Sequence, residues 1–407
     1  MNIKKQIIIN VSDSVTGNLM KTITNFEFVS LSKSLNAGCG ECVINMAVPF
    51  DYDGQELALG NDVEIRISDK DTIAGSLALQ DTAGSKVIYT GYISLIERNV
   101  QGEREGLTVH MLGHYTKLQT DILKNSAQTT LYSKTYVGLT ITSGDLSSAD
   151  IGLLMRSVID RYRAETVNPK IGYIYDDVPN TGTVATYSFA QKTYREAMEI
   201  LKRMAPLGMY YYIDPVGNLK FKQSASTPKH LFIFGKHFRG VRVEQSMEKV
   251  RNGLLVWNGQ TGGSSIYKSY SDADSILRYG RRTETFNDYG INNVDGADLI
   301  GAKFIDENKR PDIKVTCEII DNSESTDRGY DIESIEPGDT CSFLGFKVGV
   351  SDIFKDNMII TSVTYFLDKV QIEVEIVKAG ILDIQNQQSQ AISDIGSGGL
   401  GVPESYI

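Results

Sequence analysis

Along the first 118 residues, apolar and polar positions read mostly as strands separated by turn-rich stretches. Gly60-Asn61-Asp62 opens the alternation Val63, Ile65, Ile67, and the stretches Val87 to Ile93 and Leu107 to Leu112 continue it between turn-rich segments. A period of two puts successive side chains on opposite faces of a sheet, so an all-β domain is expected here. After Asp121 the period changes. Ile151, Leu154, Met155, Val158, Ile159 and Tyr162 recur at helical spacing behind Ser147-Ser148-Ala149-Asp150, which predicts a helix whose first turn Asp150 supports. Thr193-Tyr194-Arg195-Glu196 has the form of a capping box, and Ala197, Ile200, Leu201 and Met204 form the buried stripe behind it until Pro206 and Gly208. A strand from Met209 to Ile213, a turn at Asp214-Pro215-Val216-Gly217-Asn218 and a returning strand from Leu219 to Phe221 follow. From about Gly240 strands dominate again: Gly253 to Trp257, Ile313 to Ile320, Met358 to Phe366 and Val370 to Val377. A short helix from Ala297 to Asn308 is stopped by Pro311.

The two strand-rich segments echo each other. Leu59-Gly60-Asn61-Asp62-Val63 matches Pro337-Gly338-Asp339-Thr340-Cys341, each a Gly/Asp turn that launches a strand. Later in each, one long strand leads directly into another: Val87 to Arg98 then Leu107 to Leu112, and Met358 to Phe366 then Val370 to Val377. The echo predicts a mainly β chain with an α+β insertion, in which two related β-barrel domains flank a small α/β module. The expected boundaries are 1–118 for the first barrel, 119–239 for the α/β module with two helices and a hairpin, 240–378 for the second barrel, and 379–407 for a short helix and flexible tail. Barrel closure would remove strand edges that could otherwise pair at random.

Composition narrows the function classes. A chain of 407 residues suggests two or three domains, and 41% hydrophobic with 23% charged residues is ordinary globular usage. The net charge of −10 argues against a protein that wraps nucleic acid, because phosphate binding needs clustered Lys and Arg. Lys4 and Lys5 precede only the short apolar run up to Val11, too short for a secretory core or a bilayer span, so neither export nor membrane insertion is expected. Four cysteines are too few for a disulfide scaffold, which fits synthesis in a reducing cytoplasm.

Candidate chemistry is sparse. Cys39-Gly40-Glu41-Cys42 has the spacing of half a zinc site, and His110 and His114 are the candidates for the other half; unligated thiols in a loop at a strand edge are the alternative. A redox CxxC normally opens a helix, whereas the residues from Val43 to Pro49 read as a strand. There is no Gly-x-Ser-x-Gly elbow, and His230 and His237 have no nucleophile context. The acidic clusters at Asp176-Asp177, Asp272 with Asp274, and Asp321 to Asp331 lie in loops, and one Trp is poor support for a sugar platform. No metal, no cofactor and no enzymatic activity are expected.

Taken in order, several phrases resemble the baseplate hub, or tail-tip hub, proteins of tailed bacteriophages and related contractile injection systems. They are Leu59 to Ile65, Ile88 to Ile93 and Leu107 to Leu118 in the first segment; Tyr194 to Leu201 leading into Met209 to Leu219 in the middle; and Val250 to Gly259 with Ile335 to Asp339 in the last. The resemblance spans nearly the whole chain up to Asn386. It implies tail-tube-like barrels and a virion tail component assembled in the bacterial host cytoplasm. It further implies a homotrimeric ring adapting a hexameric tail tube, or distal tail protein, to a threefold spike or fibre tip. DNA would pass through the lumen without specific binding, and an acidic wall would let it slide. Two barrels per chain would let three chains present six similar units to the tube. A host-surface glycan-binding tail protein and a cell-wall hydrolase are the competing readings.

At the C-terminus, Ile381, Ile384, Gln388, Ala391 and Ile395 follow spacings of three and four, a two-heptad seam through which three copies could pack, with a single helix docked on its own domain as the alternative. Gly396 to Gly401 would then act as a flexible leash.

Overall fold

The computed structural model describes residues 5–47, 57–69, 85–101, 104–121, 123, 134–135, 149–185, 188–189, 192–238, 240–259, 265–288, 291, 293–320, 330–345, 358–366 and 369–376. The expected C-terminal seam lies outside these residues.

The first β unit consists of β1 (Lys5–Ser12), β2 (Leu19–Ile23), β3 (Glu27–Ser34), β4 (Cys39–Ala47), β5 (Asp62–Asp69), β6 (Lys86–Gln101) and β7 (Arg104–Gly113). They pair antiparallel in the order β3-β4-β7-β6-β5-β1-β2. The period-two pattern sets the faces, with Val63 and Ile65 of β5 and Leu107, Val109 and Met111 of β7 all buried. A short helix, α1 (Lys117–Thr120), leads out of the unit.

The middle of the chain holds the two-residue strands β8 (Lys134–Thr135), β9 (Ala149–Asp150), β10 (Gly172–Tyr173), β11 (Val184–Ala185) and β12 (Ser188–Phe189), with α2 (Ile151–Glu165) and α3 (Tyr194–Met204). The Asp150 carboxylate caps α2 by accepting from Gly152 N–H at 2.7 Å, and it also accepts from Gly182 N–H at 2.7 Å, so one side chain fixes both the helix start and the returning loop. The capping box of α3 forms as read from the sequence: Thr193 Oγ1 accepts from Glu196 N–H at 3.1 Å, and Glu196 Oε2 accepts from Thr193 N–H at 2.7 Å. The hairpin β13 (Met209–Ile213) and β14 (Asn218–Gln223) follows.

The second β unit contains β15 (His230–Ile233) and β16 (Val241–Ser246), then an excursion through β17 (Gly253–Trp257), β18 (Tyr267–Ser271), α4 (Ala273–Tyr279), β19 (Thr283–Asn287) and α5 (Val294–Asn308). It resumes with β20 (Asp312–Ile320), β21 (Thr340–Leu344), β22 (Met358–Tyr365) and β23 (Lys369–Ile376). Its order, β16-β20-β23-β22-β21, repeats β3-β4-β7-β6-β5 of the first unit strand for strand.

The repeat extends to single hydrogen bonds. Asn61 N–H donates to Ala58 O at 3.2 Å, Gly60 N–H to Ile93 O at 2.8 Å, and Ile93 N–H to Asn61 O at 3.0 Å. In the second unit Asp339 N–H donates to Glu336 O at 3.2 Å, Gly338 N–H to Ile360 O at 2.8 Å, and Ile360 N–H to Asp339 O at 2.9 Å. Gly60 and Gly338 have φ of 88° and 91°, which side-chain-bearing residues rarely adopt. A β-bulge follows in each long strand, between Ile93 and Leu95 and between Ile360 and Ser362. In both bulges a hydroxyl bonds across the hairpin: Ser94 Oγ to His110 O at 3.0 Å, and Thr361 Oγ1 to Glu373 O at 3.2 Å. The copies differ at the next strand, because β1 lies antiparallel to β5 whereas β15 lies parallel to β21.

Two expectations need correcting. No pairing closes either unit into a barrel among the described residues; instead β3 pairs with β22 and joins both units into one sheet of thirteen strands. The strand Gly253–Trp257, read from the sequence alongside those of the second unit, forms a separate sheet β18-β17-β19. This excursion sits where the first unit has only the hairpin turn from Leu35 to Gly38.

The hydrophobic residues form two cores. One lies on the sheet and runs across both units, taking in Leu31, Ile44, Tyr89, Val315, Val363 and Ile372. The other gathers α2 and α3 with the excursion, through Met155, Leu201, Leu254, Ala297 and Ile300. Lys303 of α5 ties these parts together: its buried Nζ donates to Lys202 O at 2.6 Å and Ala205 O at 2.8 Å at the C-terminal end of α3. Lys303→Met should therefore lower unfolding free energy by about 2 kcal/mol, measured by urea denaturation, because it strands buried carbonyls without a donor. An unchanged midpoint would show that these bonds add nothing.

Candidate assembly surface

The joint between the units is antiparallel, with Ser362 opposite Ser34, Val363 opposite Lys33, Thr364 opposite Ser32 and Tyr365 opposite Leu31. Leu35 N–H extends it by donating to Thr361 O at 2.8 Å. The bulge in β22 makes the joint possible, since the strand pairs with β21 before the bulge and with β3 after it. Lys33 is fully enclosed there, with its Nζ 4.9 Å from the centre of the Tyr365 ring, and burial pushes its pKa down. The β3–β4 turn also holds the helical module. Asn36 N–H donates to Tyr211 O at 2.8 Å, Ile213 N–H donates to Ala37 O at 3.0 Å, and the Tyr115 hydroxyl donates to Asn36 O at 3.3 Å.

An ion cluster lies where β5 leaves its turn. Asp62 is buried beside Lys170 Nζ at 2.8 Å, His114 Nε2 at 3.8 Å and Lys117 Nζ at 4.0 Å. The cluster borders a cavity of about 380 Å³ that Asn10, Glu64, Arg66 and Thr90 also line. Burial, with Lys117 and Lys170 adding to it, drives the His114 pKa to about 3, so the imidazole is neutral at pH 7. The corresponding turn of the second unit is held differently. Asp339 Oδ2 lies 2.9 Å from both His230 Nε2 and Lys229 Nζ, and His230 Nδ1 lies 2.6 Å from the Tyr330 hydroxyl. Burial alone would raise the Asp339 pKa, but its bonds to His230 and Lys229 hold it below the usual carboxylate value.

The residues considered for zinc are separated by this arrangement. Cys39 and Cys42 are not in a loop: they belong to β4, both turned into the sheet core as free thiols whose pKa burial raises. Two cysteines three apart share a face because the β3–β4 register shifts between Leu31 and Lys33. His110 faces outward, with Nδ1 2.8 Å from Glu41 Oε1, while His114 belongs to the Asp62 cluster. Among the described residues, no three His, Cys, Asp or Glu side chains are grouped to hold a metal ion. His230 and His237 both pack against Tyr330, and His230 also stacks on Phe232. The Asp62 and Asp339 clusters escaped the sequence reading, although both aspartates stand in the echoed turns that drew attention. Among the described residues no helix is long and apolar enough to cross a membrane.

No protein-family model matches the chain, and no curated protein matches it in sequence. Solved structures match its fold. The 43 kDa tail protein of prophage MuSo2 from Shewanella oneidensis aligns with a TM-score of 0.58 at 12% identity, covering 91% of this chain and 98% of that one. The tail protein from Neisseria meningitidis MC58 aligns at 0.55 and 12% identity, covering 93% and 98%. Prophage tail protein gp18 from Listeria monocytogenes EGD-e aligns at 0.52 and 12% identity, covering 95% and 99%. Across nearly its entire length, then, the chain has the fold of prophage tail proteins, mainly β with an α+β insertion.

Proposed function

We propose that the chain is a structural hub subunit of a phage tail baseplate or tail tip, and that it acts as a homotrimer rather than as an enzyme. The observation that carries this reading is the internal repeat: two units with the same strand order, turn and bulge lie side by side in one sheet. A threefold ring of such chains offers six similar units, which matches the sixty-degree repeat of a hexameric tube while its other face keeps the threefold symmetry of a spike or fibre. The net charge of −10 suits a lumen through which DNA slides during ejection. Likeness to the three tail proteins supports the setting, a virion tail assembled in the host cytoplasm.

The test is co-expression with the adjoining tail genes. The hub reading expects copurification with tube or distal tail protein and with the tip protein; attachment of the purified chain to host cells instead would favour a surface binder. Removing the residues after Lys378 should leave the ring intact and weaken retention of the tip protein in the same pull-down. Unchanged retention would remove the role assigned to Ile381, Ile384, Gln388, Ala391 and Ile395.

A further inference from the structure

The excursion from β17 to α5 has no counterpart in the first unit, so the repeat gives it no role. Its sheet β18-β17-β19 has two unlike faces. One is covered by α5: Leu254 and Val256 enter the core with Ala297 and Ile300, while Lys268 Nζ and the Tyr270 hydroxyl both donate to Asp298 Oδ1 at 2.7 Å. The other face is formed by the alternate positions. Trp257 stands there between Tyr267 of β18 and Asn287 of β19, and Leu255 stands between Ser269 and Thr285. In the next row Thr283 Oγ1 fills the space over Gly253, 2.8 Å from where a Cβ would lie. Tyr267 is 65% exposed, Ser269, Thr285 and Asn287 are exposed, and Leu255 and Trp257 at the centre are half-buried. The only charged residues of these three strands, Lys268 and Glu284, share the α5 side with Val256 and Leu254.

We infer that this outer face binds a neutral saccharide, with a pyranose ring lying on Trp257 and Tyr267 and its hydroxyls bonded to Ser269, Thr285 and Asn287. A pyranose presents C–H groups on its flat faces and hydroxyls around its edge. The C–H groups suit the electron-rich faces of aromatic rings, and the hydroxyls suit short side chains that both donate and accept. Cross-strand neighbours have Cβ atoms about 5 Å apart, so the indole and the phenol form one apolar strip rather than two separate spots. Trp257 is the only tryptophan of the chain, and the strand register supplies the aromatic neighbour that makes it a platform. The absence of charge selects the occupant. A phosphate, an acidic sugar or a charged peptide would find no counter-ion on this face, whereas a neutral polyol needs none.

This inference goes beyond the hub reading and does not depend on it: a chain that copurifies with tube and tip proteins yet takes no saccharide keeps the first and loses the second. Because Trp257 is the only tryptophan, its fluorescence reports on the face directly. Titration of the full chain with maltotetraose, cellotetraose and chitotetraose should change the emission saturably for at least one of them, with half-saturation at about 1 mM or below. Tetragalacturonate, a carboxylated counterpart, should bind at least about tenfold more weakly. Tyr267→Ala should weaken the response about tenfold while leaving the urea midpoint unchanged. Leu277→Ala, at an 89% exposed position on α4, should leave the response as it is. No response to any of the three neutral sugars at about 10 mM overturns the inference. So does a response that Tyr267→Ala leaves intact, or one that is stronger for tetragalacturonate. Emission that changes with chain concentration and not with sugar also overturns it, and makes the face a contact between copies.

Discussion

Replacing Gly113 by alanine should remove most of the folded, soluble protein, or lower its unfolding free energy by about 3 kcal/mol or more. Gly113 ends β7, opposite Gly91 of β6, and a Cβ there would lie 1.8 Å from Cys39 O and 2.6 Å from the Cys39 carbonyl carbon. The obstruction is backbone, and β4 cannot retreat because it is paired with β3 on one side and β7 on the other. Gly106 in the same strand is the control, since its Cβ would meet only Met46 O, at 3.8 Å. Gly106→Ala should change stability by no more than about 0.5 kcal/mol in urea denaturation. Equal effects at the two positions would mean that the close approach of β4 and β7 is not as described.

The acid limit of the fold should be set in good part by His114. Its pKa falls from 6.5 to about 3 on folding, chiefly through burial. Between those values the unfolded chain binds a proton that the folded chain refuses, so stability falls as pH drops below 6.5 and is fully present above it. One pKa unit corresponds to about 1.4 kcal/mol, so this group alone should cost about 2 kcal/mol at pH 5. Carboxylates contribute to the same descent, and for that reason the informative quantity is the difference between wild type and His114→Gln. The variant starts from its own stability at pH 8 but should lose about 2 kcal/mol less than wild type between pH 8 and pH 5. Parallel profiles would show that His114 takes up a proton without penalty, with Asp62 as its counter-ion.

Much of this architecture is written locally in the sequence. The capping box at Thr193 and Glu196 and the alternation Val63, Ile65, Ile67 encode their own elements, because the groups that stabilise each are only a few residues apart. The echo between Gly60 and Gly338 is legible because a positive φ demands glycine in both copies. The joint is not legible. Ser362 and Ser34 meet across most of the chain, and a short stretch that could pair with any edge carries no mark of the one it takes. The excursion from β17 to α5 is hidden similarly, since Leu254 and Val256 look like sheet residues whichever core they enter. As for Cys39 and Cys42, their spacing is that of half a zinc site, with a strand-edge loop as the alternative, and only the irregular pairing of β3 with β4 turns both thiols inward. Asp62 and Lys170, 2.8 Å apart, belong to different modules and share no motif.

The central claim is that each chain carries two equivalent β units and that three chains present six of them around a channel. Averaged electron-microscopy views of the purified protein down the ring axis test it most directly. The account predicts a closed ring with threefold symmetry whose inner wall shows six similar lobes; a monomer, or a ring in which only one unit of each chain reaches the channel, would contradict it.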